Sequence, residues 1–505
     1  MDSSASPPPQ ALGALADAAG SLLVEIQGDP WAEIAGASFD SRKARPGELF
    51  FCVPGATSDG HDFAQDVVTA GVGALCVERR VDTSPPVPQL VVSDVRKAMP
   101  TVGARVFGDP ARDLVLVGVT GTNGKTTTVF LIDSILRAAG KTTGLIGTIE
   151  TRIAGDVRPG IRTTPESLDL QRLLWEMKGR GVDVVAMEVT SHALSLHRVD
   201  GLRFASAAFT NLTQDHLDFH HDMEDYFAAK AGLFVSERAD QAAVNLDDTY
   251  GRKLKDRTTI PVRTFGVSEG TDVTALDVES GPSGSTFRMV AGEREAKIST
   301  SLVGPFNISN CLAAATSALN LGIGLDAIED GLRAQAVVPG RFESVDCGQP
   351  FSVIVDYAHT PDSLANVLEA ARAVAVPRGG RVICAFGCGG DRDKGKRPLM
   401  GSVVARLADV AIVTSDNPRS EDPMAIIGAI LEGVTVVDPD GPAEVLPDRA
   451  EAIAAAVSLA SPDDMVVIAG KGHETGQQFA DHTIDFDDRI VARRELAKHG
   501  WDGCA

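Results

Sequence analysis

Short apolar runs alternate with stretches of helical spacing along most of the chain. In the first hundred residues "ELFFCVPG" (48–55) and "PQLVVSD" (88–94) read as strands and "DFAQDVVTAG" (62–71) as a helix. "LVLVGVT", Leu114 to Thr120, is a β-branched run that leads directly into a glycine loop. "TTTVFLIDSILRAAG" (126–140) then carries apolar residues at helical spacing and closes on Gly140, a C-terminal cap. "DVVAMEV" and "SAAFTNL" read as further strands of the same sheet. A second series starts near residue 350, with strands "FSVIVDY", "RVICAFG", "DVAIVTS" and "DMVVIAG". Each runs at once into a polar loop: "DYAHTPDS", "GCGGDRDKGKR", "SDNPRSEDP" and "GKGHETGQ". In a parallel sheet all four loops lie at the carboxyl edge, where ligands bind. The class expected is α/β, with two to four domains for 505 residues.

Composition narrows the function more than the fold. A net charge of −22 argues against nonspecific binding to nucleic acid or to an anionic membrane, while a few local cations suffice for a small anionic substrate. No apolar run reaches transmembrane length and no signal peptide is seen, so a cytoplasmic protein without membrane insertion is expected. Seven scattered cysteines without metal-ligand spacing read as reduced thiols. The Ser/Pro-rich start, residues 1–11, reads as a disordered tail.

The loop "GVTGTNGKTTT" carries the first chemistry. The common Gly-x-x-x-x-Gly-Lys-Ser/Thr spacing would require glycine at 119, and Val119 stands there. Gly121 and Gly124 let backbone N–H groups approach phosphate oxygens, Lys125 reaches the terminal phosphates, and the Thr126 hydroxyl suits Mg²⁺. The alternative is a glycine-rich turn with no ligand. Glu188, ending a strand, and His216, following another, suit a divalent cation or are satisfied core polar residues. Lys230, in the apolar helical stretch "DYFAAKAGLF", is a snorkelling lysine or a desolvated, reactive amine. Arg392, Lys394, Lys396 and Arg397 form a basic cluster that binds an anion or is a solvated loop. Asp356 and His359 share that sheet edge. Arg419 and Glu474 offer opposite charges that would grip a zwitterion, or form a surface ion pair.

Taken in order, "DSRKARPGELF", "TGTNGKTTT", "TTPES", "MEVTSHAL", "FTNLTQDHLDFH", "GPFNISN", "VPGRFE", "VDYAHTPDSL", "GCGGDRDKGKRP", "DNPR" and "GKGHE" resemble the Mur ligases of peptidoglycan synthesis, from about residue 36 to 490. The nearest pattern is that of the members that add the third residue of the stem peptide. The resemblance implies three domains: an N-terminal UDP-sugar-binding α/β domain (1–108), a central P-loop ATPase-like parallel-sheet domain (109–336) and a C-terminal Rossmann-like domain for the amino acid (337–505). It implies ATP contacts from Gly121, Thr122, Asn123, Gly124, Lys125, Thr126, Thr127, Asn307, Asn310, Arg341 and Asp356. Phe39, Ser41, Ala56, Thr57 and Ser58 would meet the UDP end, and Thr163, Thr164, Thr190, Ser191 and Arg198 the muramoyl-dipeptide. Leu196 stands where relatives carry glutamine. Thr126 and Glu188 would hold one Mg²⁺, and His216 with a carbamylated Lys230 a second. Lys125, His216, Lys230 and Asp356 would be catalytic. Arg392, Asp416, Asn417, Pro418, Arg419, Gly470 and Glu474 would bind the amino acid.

The reaction implied moves the γ-phosphoryl of ATP to the carboxylate of UDP-MurNAc-L-Ala-D-Glu, and an amine displaces the phosphate. "DNPR" points to meso-diaminopimelate rather than L-lysine as the amine. A monomer is expected. Rivals are a folylpolyglutamate synthetase, against which "DSRKARPGELF" argues, and a non-catalytic nucleotide-dependent binding protein, against which the polar loops of the last domain argue.

Overall fold

The computed structural model describes residues 7–55, 58–281, 284–335, 337–439 and 443–503. Three of its sheets bear on function, and each is covered by apolar cores on both faces. The first comprises β1 (Leu23–Gln27), β2 (Ala37–Ser38), β3 (Leu49–Phe51), β4 (Ala74–Val77) and β5 (Gln89–Val92), in the order β1-β5-β4-β3-β2. All its pairs are parallel except β1 with β5. The ordered chain reaches back into the segment expected to be tail: Gln10 and Ala11 pair with Ile34 and Glu33. The Gln10 amide also donates to the Arg105 carbonyl, which ties this segment to the first sheet's unit. Residues 1–6 lie outside the described residues.

The second sheet has eleven strands. Its middle is parallel, built from β6 (Val115–Thr120), β7 (Thr143–Ile146), β8 (Val184–Glu188), β9 (Ser206–Phe209), β10 (Ala242–Asn245) and β11 (Val262–Gly266), in the order β7-β8-β6-β9-β10-β11. Between β6 and β7 runs α1 (Lys125–Ala138), and Gly140 beyond it takes φ +75°, as a cap should. The third sheet contains β12 (Ser352–Asp356), β13 (Val382–Phe386), β14 (Val410–Val413) and β15 (Met465–Ala469), in the order β12-β15-β13-β14, again parallel. Helix α2 (Pro361–Ala375) follows β12.

The period of two explains why these strands read as unbroken apolar runs. Val353 and Val355 enter one core and Ile354 the other; Ile383 and Ala385 oppose Val382, Cys384 and Phe386; Val466 and Ile468 oppose Met465 and Val467. A strand with helices on both faces has no side left for polar residues. Polar chemistry is thereby confined to the strand ends.

The expectation of reduced thiols holds for five buried cysteines, Cys52, Cys76, Cys311, Cys384 and Cys388. It is corrected at Cys347, which is disulfide-bonded. Cys504 lies outside the described residues.

Helix α1, whose N-terminus carries the phosphate loop, is seated against the helix Leu325–Ala334 at Gly331. A Cβ there would stand 2.4 Å from the Ile135 Cα, and the Ser134 hydroxyl donates to the Gly331 carbonyl at 2.7 Å. Alanine for a mid-helix glycine ordinarily gains about 0.5–1 kcal/mol. Overpacking against backbone costs about 1–3 kcal/mol. The clash should win: Gly331→Ala is expected to lower the urea midpoint, by a net of about 1 kcal/mol, and a raised midpoint would show that the two helices part freely.

Candidate active site

The phosphate loop begins where β6 ends. Val119 is inside the strand, fully buried and paired with Glu188 of β8, so the turn starts at Gly121 rather than two residues earlier. That is why the glycine of the common spacing is absent. Gly121 has φ +150°, and a Cβ there would lie 1.9 Å from the Thr210 hydroxyl. Gly124 has φ +84°, and a Cβ there would lie 2.3 Å from the Asn310 Oδ1. The loop is clamped from the β9 side: Asn123 N–H donates to the Asn211 side chain at 2.9 Å, and the Thr210 hydroxyl to the Asn123 carbonyl at 2.6 Å. Lys125 folds back on the loop, donating to the carbonyls of Gly121 (2.9 Å) and Thr122 (2.8 Å). Burial lowers its pKa, against the pull of Glu188 and Asp215.

Glu188 ends β8 at 1% exposure. It accepts from the Thr126 hydroxyl at 3.0 Å and from the Thr148 N–H at 2.8 Å, and among the described residues no cation pairs with it. A buried, unneutralised carboxylate beside a threonine hydroxyl at a helix N-terminus is a hard oxygen site that fits Mg²⁺. The second expected set is less assembled. His216, held at φ +55°, packs at the cavity beside Asp215, and burial lowers its pKa against the pull of that carboxylate, which favours the neutral ring. Lys230 is 1% exposed; its Nζ donates to the Gly121 carbonyl at 2.8 Å and lies 4.6 Å from the Tyr226 ring centre. Burial, then the Lys125 charge, push its pKa well below the ordinary lysine value. Snorkelling is therefore overturned: the amine points inward. The Lys230 charge bears on His216, but among the described residues the two make no direct bond and no three His, Cys, Asp or Glu side chains gather as a metal cluster.

The third sheet closes the site. Asp362, in the first turn of α2, accepts from the Asn123 side-chain amide at 2.8 Å and the Thr213 hydroxyl at 3.3 Å. The Arg341 guanidinium donates to the Thr126 hydroxyl at 3.1 Å and lies 4.5 Å over the Tyr357 ring. Asp356, at the end of β12, is buried and accepts from the N–H groups of Phe342 (2.6 Å) and Ala358 (2.7 Å). The resulting cavity, about 700 Å³, is lined by the loop residues Thr122 to Thr127, by Glu188 and His216, by Asn310, and by Arg341, Asp356 and His359 from the last unit. Asn307 lies beneath it, donating to the Val303 carbonyl and accepting from Asn310.

Thr163, Thr164, Thr190 and Arg198 line the same cavity; Ser191 instead turns its hydroxyl to His220 Nε2 at 3.0 Å. The Arg198 Nε is buried without a hydrogen-bond partner among the described residues, although its other nitrogens reach the Thr164 carbonyl and Glu166. Phe39 and Ser41 follow β2 at once, and Ser58 lies in the loop beyond β3, its parallel neighbour. Ala56 and Thr57 lie outside the described residues.

Only Arg392 of the expected amino-acid residues reaches the cavity wall. The others form an adjoining cluster. Arg419, at φ +51°, donates to the Gly390 carbonyl at 2.6 Å, and a Cβ on Gly389 would lie 3.1 Å from its Nη1 and 3.9 Å from the Arg392 Cγ. Glu474 Oε2 accepts from the Asn417 amide (2.8 Å) and Lys471 (3.0 Å). The Gly470 position faces the Asp416 carboxylate, and Pro418 packs its carbonyl on Gly390. No Arg419–Glu474 ion pair forms among the described residues. The basic cluster is partly neutralised, since Glu421 takes both Arg397 (2.8 Å) and Lys394 (3.3 Å).

Family models agree with this three-part layout. The Mur ligase family catalytic domain matches residues 33–109, the Mur ligase middle domain 119–318, and the Mur ligase glutamate ligase domain 340–472. The chain is 45% identical over 479 residues to the UDP-N-acetylmuramoyl-L-alanyl-D-glutamate–2,6-diaminopimelate ligase of Syntrophomonas wolfei, covering 94% of this chain and 97% of that one.

The chain belongs to the Mur ligase family.

It is likewise 48% identical to the enzyme of that name from Streptomyces avermitilis, covering 92% and 93% of the two chains. Among solved structures, one with the same enzyme title superposes with a TM-score of 0.68 at 30% identity, over 97% of this Mur ligase and 99% of that chain. A Mycobacterium tuberculosis folylpolyglutamate synthase shares the fold alone, with a TM-score of 0.59 at 17% identity over 79% of this chain.

The Mur ligase site holds residues that motif reading passed over. Asp362 lies within "DYAHTPDS", but an acid in a first helical turn is explained locally by the helix dipole, so nothing marks it as a contact between units. Folding alone brings Thr148 to Glu188, and Asn211 and Thr213 to the phosphate loop.

Lys125 is expected to be needed for turnover and not for folding. Lys125→Ala should abolish ligation while leaving the thermal midpoint near the wild-type value, measured by phosphate release and calorimetry. Near-normal turnover would remove the loop from the chemistry.

Proposed function

We propose that this Mur ligase adds meso-2,6-diaminopimelate to UDP-N-acetylmuramoyl-L-alanyl-D-glutamate at the expense of ATP, through an acyl phosphate. The observation that carries this reading is the single cavity walled at once by the phosphate loop, by Thr163, Thr164, Thr190 and Arg198, and by Arg341, Asp356 and Arg392 of the last unit. Residues 1–108 take the UDP end of the sugar nucleotide, residues 109–336 the ATP, and residues 337–505 the incoming amino acid.

The obstacle is electrostatic, because a carboxylate must approach a polyanionic triphosphate. Lys125 and Arg341 would bring two cations to the triphosphate, and their partial desolvation would strengthen the pull. Mg²⁺ held by Thr126 and Glu188, with a second ion at His216 and a carbamylated Lys230, would neutralise the remaining charge and align phosphate with carboxylate. The γ-phosphoryl moves to the D-glutamyl γ-carboxylate and ADP is formed. The amine then attacks the acyl carbon, loses a proton, and phosphate leaves as the amide bond closes.

Lys230 is chemically prepared for carbamylation. In its neutral form a desolvated amine adds CO₂ through the nitrogen lone pair and gives up a proton, so the product is an anionic carbamate on a side chain that otherwise carries no negative charge. Lys230→Ala is expected to be nearly inactive and partly restored by acetate, which would occupy the vacated volume as a small carboxylate. A high-resolution structure of active enzyme with an unmodified Lys230 remote from metal would refute this.

The amino acid is set by charge. Meso-diaminopimelate ends in a carboxylate beside its distal amine, and lysine does not. Arg419 and Arg392 flank Gly389, where they would take the carboxylate, and Glu474 Oε1 accepts no donor among the described residues, leaving it for the ammonium. Each charge-assisted bond is worth about 1.5–3 kcal/mol, or about 10- to 150-fold. Arg419→Ala should therefore raise KM for meso-diaminopimelate at least about tenfold with ATP binding intact. Equal use of L-lysine by the wild-type enzyme, read by product mass, would overturn the specificity and leave the ligase reading standing.

A further inference from the structure

Arg449 belongs to none of the motifs that carry the resemblance, yet it is among the largest fully buried side chains of the molecule, at 1% exposure. It opens α3 (Arg449–Leu459), the helix that precedes β15. Its guanidinium makes a two-pronged pair with Asp488, Nε to Oδ1 at 2.8 Å and Nη2 to Oδ2 at 2.7 Å. Asp488, wholly buried, opens α4 (Asp488–Lys498). Two further contacts point at the sheet: Nη2 donates to the Ala469 carbonyl at 2.9 Å and Nη1 to the Ser415 carbonyl at 3.3 Å.

Those two carbonyls decide the matter. Ala469 ends β15, and Gly470 to Glu474 follow it. Ser415 lies just past β14, and Asp416 to Arg419 follow it. In the sheet β13 separates β14 from β15, so no ladder joins the two strands. Arg449 ties the last carbonyl of β15 and the Ser415 carbonyl, two residues past β14, to one rigid group. Farther out, Lys471 bonds Asn417 Oδ1 at 3.1 Å and Gln477 bonds the Asp416 carbonyl at 2.7 Å. Asp416, between these ties, keeps a buried Oδ1 with no hydrogen-bond partner among the described residues, although the Lys471 Nζ lies 3.9 Å away, and Arg449 is the foremost cation opposing the burial of its carboxylate. A buried ion pair is weak evidence for stability, because apolar side chains of equal volume often serve as well. A fixed fork of donors is what a spacing constraint needs.

We propose that Arg449, held by Asp488, is a positioning residue for the incoming amino acid: it sets the distance between the loop that carries Arg419 and the loop that carries Glu474. This rests on the reading that those loops hold the distal carboxylate and ammonium. A shift of one loop would spoil recognition of a zwitterion that needs both at once, while the phosphate loop, on another sheet, would not move.

The test is a double-mutant cycle on the full-length enzyme with Arg449→Met and Arg419→Ala, reading kcat/KM for meso-diaminopimelate and KM for ATP and for the sugar nucleotide. Arg449→Met should lower kcat/KM for the amino acid about tenfold or more and leave the other two KM values within about twofold; once Arg419 is alanine the same change should cost much less, because residues that act through one another are not additive. Asp488→Asn keeps both volumes, should shift the amino acid alone and by less, and decides the question if Arg449→Met does not fold. Losses that multiply in the cycle, or an equal change for all three substrates, would make Arg449 merely structural and overturn the proposal. If Arg419→Ala by itself leaves the amino-acid kinetics unchanged, the placement of the amino acid falls first and the proposal with it.

Discussion

The Asn123 amide and the Thr126 hydroxyl, both on the phosphate loop, bond to Asp362 and Arg341 of the last unit. The site depends on this clasp. The loop alone is an anion cradle at the end of a strand, and the loops of the third sheet alone are a polar edge. Joined, they wall one cavity of about 700 Å³, in which the partly desolvated charges act on one another more strongly than in bulk water. The two halves share donors and acceptors here, so the groups that face the cavity are also groups that hold the units together. A nucleotide entering the cavity would exchange some of these contacts for its own, which couples binding to the relative placement of the sheets.

Desolvation is the second theme. Burial lowers the pKa of Lys125 and Lys230, drives His216 and His359 toward their neutral forms, and raises Asp356 and Asp362. All these shifts oppose charge. The protein thus gathers ionisable groups around a cavity at some cost in free energy, an arrangement more in keeping with chemistry than with packing. Backbone geometry points the same way, since His216 and Arg419 both sit in the left-handed region, where a residue with a side chain costs on the order of 1–3 kcal/mol.

Much of this was legible in advance. The alternating sheet cores follow from the period of two, and the confinement of polar residues to strand ends follows from cores on both faces. The order of strands and loops along the chain was enough to place Asp356, Arg392, Arg419 and Glu474 on one edge. Other points were not legible. Whether Lys230 snorkels or turns inward depends on what covers its helix, and the Gly121 carbonyl that receives it is 109 positions away. The tail reading missed that Gln10 finds partners on the far side of the first sheet's unit.

The sequence by itself determined the elements, the parallel sheets and the loop chemistry, because periodicity, glycine placement and charge type are local properties. It also carried the family, through many short motifs in fixed order. Only the tertiary structure decided which charges are paired and which are free. Arg397 and Lys394 are spent on Glu421, Glu474 is shared with Lys471, and Arg449 is sealed against Asp488. Pairing is a matter of a few ångströms between residues far apart in the chain, and no local pattern encodes such distances.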